Sequence, residues 1–134
     1  METLEFAPGL RLGIDLIDEQ HRRFYEIMNN LIAADLEADQ RDLVCGILNE
    51  LAEYVAEHFS TEEELMARFE YPDRAAHQLQ HVHFAAQVED FHRKYERSEI
   101  GLEDEIMAYM VDWFTRHVRQ EDPKYVELFK ANGV

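Results

Sequence analysis

The stretch that decides the fold is HQLQHVHFAAQVEDF, residues 77–91. At about 100° per residue on a helix, His77 and His81 lie within about 40° of each other, and Phe84 and Val88 continue the same stripe. This spacing predicts an amphipathic helix whose inner face carries two imidazoles beside its apolar groups. The rest of the chain must therefore supply partners for that face.

Further amphipathic stretches flank this helix and repeat its spacing of apolar side chains. Short breaks separate them, two of which contain Pro72 or Gly101, so consecutive helices should be antiparallel neighbours. We predict an all-α fold, an up-down-up-down antiparallel four-helix bundle with an N-terminal arm and a short C-terminal helix. We expect one domain over residues 1–134, with the arm over 1–17, the bundle over about 18–119 and a C-terminal segment over 120–134. The expected helices run from Asp18, as N-cap, to about Glu37; from Asp39 to the turn before Pro72; from Pro72 to about Arg97; from about Leu102 to Arg119; and from Tyr125 to Lys130.

Composition narrows the classes of partner. Thirteen Lys and Arg against 29 Asp and Glu give a formal charge of −16, which opposes binding to nucleic acid or to an anionic membrane surface. No stretch approaches the roughly 20 apolar residues of a membrane span, and the N-terminus lacks a signal-peptide pattern, so we expect a cytoplasmic protein. We also expect it to be a monomer. Cys45 is the only cysteine. We expect it to be a small buried hydrophobic residue without a chemical role.

Helical phase also places most of the histidines. His83 lies about 200° from His81 and should face water, and His92 is displaced by roughly 16 Å along the helix, so both are excluded from a shared site. Glu62 follows His58 by four residues and should point inward with it. Its neighbours Glu63 and Glu64 belong to a solvated face and receive no role. The inward histidines are His21, His58, His77, His81 and His117.

Burying these groups has an energetic consequence. Any one histidine alone is better explained as a core residue satisfied by a hydrogen bond. Five imidazoles and a carboxylate buried together would cost several kcal/mol of desolvation unless they were paired or coordinated. A metal site inside the bundle is therefore the more economical interpretation. We interpret Trp113 and Tyr25 as core aromatic residues that wall this site without touching metal.

The ordered motifs resemble those of the hemerythrin family, in particular its single-domain bacterial branch, the bacteriohemerythrins. The resemblance runs from about Phe6 to Tyr125 and includes IDEQH at residues 17–21, with Met66 and Trp113 as further matching features. The chain departs from the pattern at Phe6, where many relatives carry Trp, and at Pro123, which follows a matching aspartate and puts the local turn there in question. The motifs are His21; His58 and Glu62 in HFSTEE; His77 and His81 in HQLQHVHF; and His117 and Asp122 in HVRQED.

The resemblance implies a specific centre and function. Two iron ions, bridged by an oxo or hydroxo group, would bind dioxygen reversibly for storage, transport or delivery, with an oxygen-using enzyme as a conceivable recipient. The chain would then be an oxygen-binding protein and not an enzyme. By the same resemblance, one iron takes His77, His81 and His117, the other takes His21 and His58, and Glu62 and Asp122 bridge the two.

Three alternatives stay open at this point. A di-iron oxidase or peroxidase normally uses Glu-x-x-His pairs in a bundle core. The sequence has one such pair, Glu89 with His92. It is poorly placed, because Glu89 lies about 80° off the apolar stripe of its helix. A sensor would report the state of its iron to a partner protein through its surface. A structural site would hold zinc or manganese and would show no oxygen-dependent colour.

Overall fold

The computed structural model describes residues 4–6, 8–35 and 41–134, and it confirms the four-helix bundle. A short 3-10 turn in the arm precedes the first helix. Among the described residues, every helix is too short or too polar to span a lipid bilayer. The helices are α1 (Asp15–Asp35), α2 (Arg41–Arg68), α3 (Arg74–Glu96), α4 (Asp104–Gln120) and the short α5 (Pro123–Ala131), after the 3-10 turn Pro8–Leu10.

The buried side chains form two apolar clusters with a polar layer between them. The larger cluster fills the bundle and includes Phe24 and Phe114, whose rings stack at 3.8 Å. The smaller one, around Tyr125, joins α5 to the ends of α1 and α2. On α1, His21 lies between Ile17 of the smaller cluster and Phe24 of the larger one. The other inward polar groups occupy the same level, so apolar packing encloses them from both sides.

The start of α1 differs from the prediction. The helix begins at Asp15, and Asp18 is not its N-cap. Instead, the Asp18 carboxylate accepts hydrogen bonds from the backbone N–H groups of Leu12 and Gly13, at 2.7 and 3.0 Å. Gly13 has a φ of +83°, which glycine adopts without the steric cost of a side chain. Asp18 therefore ties the arm back onto the first turn of the helix.

The turn between α2 and α3 is also longer than expected. Pro72 does not occupy the first position of α3, which begins at Arg74. After α2 ends, Glu70 takes a left-handed φ of +57°, and the N–H of Tyr71 donates to the carbonyl of Met66 at 2.8 Å. This hydrogen bond satisfies a carbonyl at the helix end, as in a Schellman motif. The backbone thus reverses before Pro72 and not at it.

The remaining boundaries lie close to their expected positions. The third helix ends at Glu96 and the fourth spans Asp104–Gln120, while the C-terminal helix begins two residues earlier than expected, at Pro123. The expected end of helix 1 at Glu37 and the N-cap Asp39 lie outside the described residues. Cys45 is half-buried, so the expectation of full burial was wrong; burial still raises the pKa of its thiol.

Candidate metal centre

All seven side chains proposed from the sequence lie in the polar layer inside the bundle. None of them is more than 4% exposed. As expected, His83 is exposed, and His92 pairs with Glu96 at 2.9 Å away from this layer. The buried set comprises His21 on α1; His58 and Glu62 on α2; His77 and His81 on α3; His117 on α4; and Asp122 in the turn before α5.

The histidines fall into two groups that share one carboxylate. Potential ligand atoms of His77, His81, His117 and Glu62 all lie within 4.8 Å of one another. Those of His21, His58 and again Glu62 form a second such group. Sequence phase indicates only that these side chains face inward. The division into three and two imidazoles comes from the way the helices pack.

Within the first group the imidazoles converge on one point. Nε2 of His117 lies 2.9 Å from Nε2 of His77 and 3.1 Å from Nε2 of His81. Metal ions of this class bind imidazole nitrogen at about 2.1 Å, so two such nitrogens at right angles on an octahedral ion lie about 3.0 Å apart. Both spacings therefore fit neighbouring imidazoles on a single cation, with His117 beside His77 and beside His81.

Asp122 contacts both groups. Its Oδ2 lies 3.1 Å from Nε2 of His21, and its Oδ1 lies 3.2 Å from Nε2 of His77 and 3.1 Å from Nε2 of His117. Pro123 does not disturb this placement, because it occupies the first position of α5, where no backbone N–H is needed. The N–H of Asp122 donates to the carbonyl of His117 at 3.1 Å. The turn that Pro123 put in question is thus compatible with the aspartate facing the histidines.

Several buried atoms of the layer make no contact with hydrogen-bond geometry among the described residues, although some lie close to one another. They include both ring nitrogens of His21, Oε1 of Glu62 and both carboxylate oxygens of Asp122. Buried polar atoms are normally paired, and leaving one unpaired costs about 1–3 kcal/mol. Imidazole nitrogens and carboxylate oxygens are also the donor atoms that iron and zinc prefer. The residues present therefore fit a bound metal.

The electrostatics of the layer point the same way. Burial alone would raise the pKa of Glu62, but the contacts with His58 and His81 hold it well below its usual range. Burial and the nearby Glu62 oppose ionisation of Asp122, yet its close contacts with the ring nitrogens of three histidines lower its pKa to about 2. Burial lowers the pKa of His81, which favours its neutral, metal-binding form. The layer thus offers ionised carboxylates and neutral imidazole for coordination.

A second ring of side chains orients the imidazoles, and sequence reasoning assigned none of them a role. Gln20 Oε1 lies 2.7 Å from Nδ1 of His58, and Gln80 Oε1 lies 2.9 Å from Nδ1 of His117. Oε2 of Glu63 lies 3.5 Å from Nδ1 of His81, so the assignment of Glu63 to a solvated face was wrong. The available signal was the dipeptide Gln-His, which occurs at residues 20–21 and again at 80–81.

Aromatic rings close the layer from the side of the larger cluster. Phe59 stacks on His81 at 3.7 Å, and Trp113 stacks on His117 at 4.7 Å. Phe114 meets His21 edge-on at 5.5 Å. Tyr25 is buried in the same cluster, as predicted, whereas Trp113 is only partly buried. These contacts hold the imidazoles in place and cover them on that side.

The fold and the site together define a class, that of helical-bundle proteins with a buried histidine and carboxylate cluster able to bind metal. Residues 12–129 match the family model described as Hemerythrin HHE cation binding domain. The chain therefore belongs to the hemerythrin family. It is 35% identical to a bacteriohemerythrin of Stenotrophomonas maltophilia (strain R551-3) over 98% of this chain and 85% of that protein. It is 32% identical to a bacteriohemerythrin of Clostridium acetobutylicum over 87% of this chain and 93% of that protein.

Solved structures support the fold. A crystal structure of wild-type hemerythrin superimposes with a TM-score of 0.89 over 96% of this chain and 98% of that chain. At 22% identity this likeness concerns the fold alone. The bundle predicted from helical phase is therefore one that known proteins of this family adopt.

Proposed function

We propose that this protein binds dioxygen reversibly at a di-iron centre, as a carrier or store and not as an enzyme. In this proposal one iron is held by His77, His81 and His117 and the other by His21 and His58. Glu62 and Asp122 would hold both ions, which an oxo or hydroxo group would also link. The protein would act as a monomer in the cytoplasm; in the carrier role, an oxygen-using enzyme would be the recipient of the oxygen.

The observation that supports this most strongly is the unequal division of the imidazoles. Three converge in one group and two in the other, with Glu62 common to both and Asp122 in contact with both. Two ions that share their carboxylates but differ by one imidazole are unequally filled. An ion held by only two imidazoles would keep a position for an external ligand, which is what an oxygen-binding site requires.

The chain's own residues would support reversibility in two ways. When bound, a pair of ferrous ions supplies the electrons that oxygen binding requires. The surrounding groups would position the imidazoles and shield them from water. Phe59 and Trp113 stack on two of the imidazoles, and Gln20 orients a third. Exclusion of water opposes the escape of charged oxygen species, which would leave the iron oxidised.

The decisive experiment is an anaerobic titration of the ferrous-loaded protein with oxygen, followed by purging with argon. Visible absorption and iron content per chain are measured together. We expect about two irons per chain and an oxygen-dependent band that fades under argon. A band that forms and decays irreversibly would favour the oxidase or peroxidase alternative. Binding of metal without any band would favour a structural site, and either result would refute the proposal.

The aromatic cover can be tested separately through Trp113. Replacing Trp113 with Ala removes the ring that stacks on His117 and should accelerate autoxidation of the oxygenated protein, because water reaches the site more easily. Trp113→Phe keeps a stacked ring and should restore most of the wild-type lifetime. Tyr109→Ala serves as the control, since Tyr109 is an exposed aromatic residue on the same helix. If Trp113→Ala matches this control, Trp113 does not protect the site.

A further inference from the structure

The two glutamines that contact the buried imidazoles are arranged alike. Gln20 precedes His21 on α1 and reaches His58 on α2, while Gln80 precedes His81 on α3 and reaches His117 on α4. Each contact therefore crosses from one helix to the next, and each involves the ring nitrogen Nδ1. One such contact falls in each group of imidazoles. Gln20 is the better defined of the two, because a further contact fixes its orientation.

The orientation of the Gln20 amide follows from Thr61. The hydroxyl of Thr61 donates its proton to the carbonyl of Glu57 at 3.0 Å, so its oxygen acts as an acceptor toward the amide. Nε2 of Gln20 lies 3.4 Å from that oxygen and donates to it. The amide carbonyl must then face His58 and accept the proton on Nδ1. This leaves Nε2 of His58 unprotonated and directed at the carboxylate of Glu62, 3.2 Å away.

The acceptor is neutral, which matters for the electronic state of the site. A metal-bound histidine commonly donates its second N–H to a carboxylate, which makes the imidazole a stronger electron donor. Here the group that accepts the N–H of His58 is the amide of Gln20. It is not a carboxylate, although Glu19 and Glu57 line the same cleft. The layer already contains two buried carboxylates, and further negative charge beside it would stabilise the oxidised, more positive iron.

We propose that Gln20 is a positioning residue for His58 that also protects the reversibility of oxygen binding by being uncharged. Its carbonyl holds the tautomer of His58 that can ligate metal, and Thr61 locks the carbonyl in that direction. Its neutrality limits electron donation to the iron that has two imidazoles. This inference rests on the proposed di-iron site, and it adds a residue that controls the redox balance of that site.

The positioning role is tested with metals that need no oxygen. Affinity for Zn²⁺ and Co²⁺ is measured in the wild type, Gln20→Leu, Thr61→Val and Thr61→Ser. For either metal, we expect Gln20→Leu to lower the affinity for the more weakly bound of the two ions roughly 10–100-fold. This is the usual effect of removing a hydrogen-bond partner from a metal-binding histidine. Thr61→Val should weaken binding in the same direction but less, and Thr61→Ser should restore it. Wild-type affinity in Gln20→Leu would overturn the positioning role.

The electronic role is tested with Gln20→Glu, which keeps the acceptor and adds a charge. The cleft beside Gln20 has a volume of about 310 Å³ and is open to solvent, so the new carboxylate can be hydrated and the variant should fold. We expect metal affinity at least equal to that of the wild type, a lower reduction potential and faster autoxidation. The matched control is Gln87→Glu, which places the same charge on the exposed face of α3. A potential and autoxidation rate equal to those of the control would overturn the electronic role.

These outcomes are separable from the failure of the proposed function. If the wild type binds two metals per chain but no oxygen reversibly, the function fails while the Zn²⁺ and Co²⁺ affinities still test the positioning role. If the wild type binds oxygen reversibly and the Gln20 variants behave like it, the inference fails and the function stands.

Discussion

Replacing Tyr125 with Phe should expose how strongly the buried carboxylates depend on their few hydrogen-bond partners. The phenol of Tyr125 donates to Oε2 of Glu62 at 2.5 Å, and neither side chain is exposed to solvent. A hydrogen bond to a charged group contributes about 1.5–3 kcal/mol. The ring itself stays packed against Phe129 at 4.2 Å, so the substitution removes the hydroxyl with little loss of apolar contact. We expect the free energy of unfolding of the metal-free protein to fall by about 1.5–3 kcal/mol.

The assay is equilibrium unfolding in urea at neutral pH. With a slope of about 1–3 kcal/mol per molar urea, the loss corresponds to a midpoint lower by roughly 1 M and an unchanged slope. Tyr109→Phe is the matched control, because Tyr109 is 41% exposed and its variant should stay within about 0.5 kcal/mol of the wild type. A double-mutant cycle with Glu62→Gln isolates the pairwise contribution. A Tyr125→Phe variant as stable as the control, or a cycle without coupling, would refute the reasoning.

Three further substitutions have defined outcomes. The ordinary pKa of an aspartate, 3.8, falls to about 2 at Asp122, so its ionised form stabilises the metal-free fold by about 2.5 kcal/mol at about 1.4 kcal/mol per tenfold change in proton affinity. That stability is fully present above pH 3.8 and is lost as the pH falls through 2. Asp122→Asn should therefore be less stable than the wild type at neutral pH and equally stable in acid. Free energies of unfolding that differ by the same amount at every pH would contradict this. Phe114→Ala removes a fully buried ring stacked on Phe24 and should lower the free energy of unfolding in urea by about 3–5 kcal/mol. A loss below about 1 kcal/mol would show that neighbouring side chains move into the cavity. Asp18→Ala removes the acceptor for two backbone N–H groups of the arm. It should lower the free energy of unfolding by about 1 kcal/mol and speed limited proteolysis near Gly13. A cleavage rate equal to that of the wild type would refute this role of Asp18.

The fold was largely predictable because helical phase is a local property. The apolar stripes and the short breaks predicted the four helices of the bundle and its connectivity, and the family and the solved structure confirm them. The errors fall at helix ends. Asp18 looked like an N-cap but binds the arm instead, and the chain reverses at Glu70 before Pro72 can start the next helix. Both depend on backbone geometry that residue type alone leaves undetermined.

Burial of the candidate ligands was also predictable, but their supporting contacts were not. His58 and Glu62 share a helical face whatever the rest of the protein does, and the structure places both inside. The hydrogen bond from His58 to Gln20 joins residues 38 positions apart, and it requires two helices to meet in one register. The contact between Glu63 and His81 was equally unpredictable from helical phase, because it depends on the packing of α2 against α3.

The sequence alone determined which side chains face the interior, because the angle between residues on a helix is set by the backbone. It also determined the family, because the motifs stand in a specific order. Helical phase left open how the imidazoles divide into three and two, a division that the family resemblance implied. The tertiary structure shows the contacts that produce it, with Glu62 and Asp122 close to both groups and Gln20 beside Nδ1 of His58. Those features arise where separate helices come within a few ångströms of each other, and no local pattern specifies that distance.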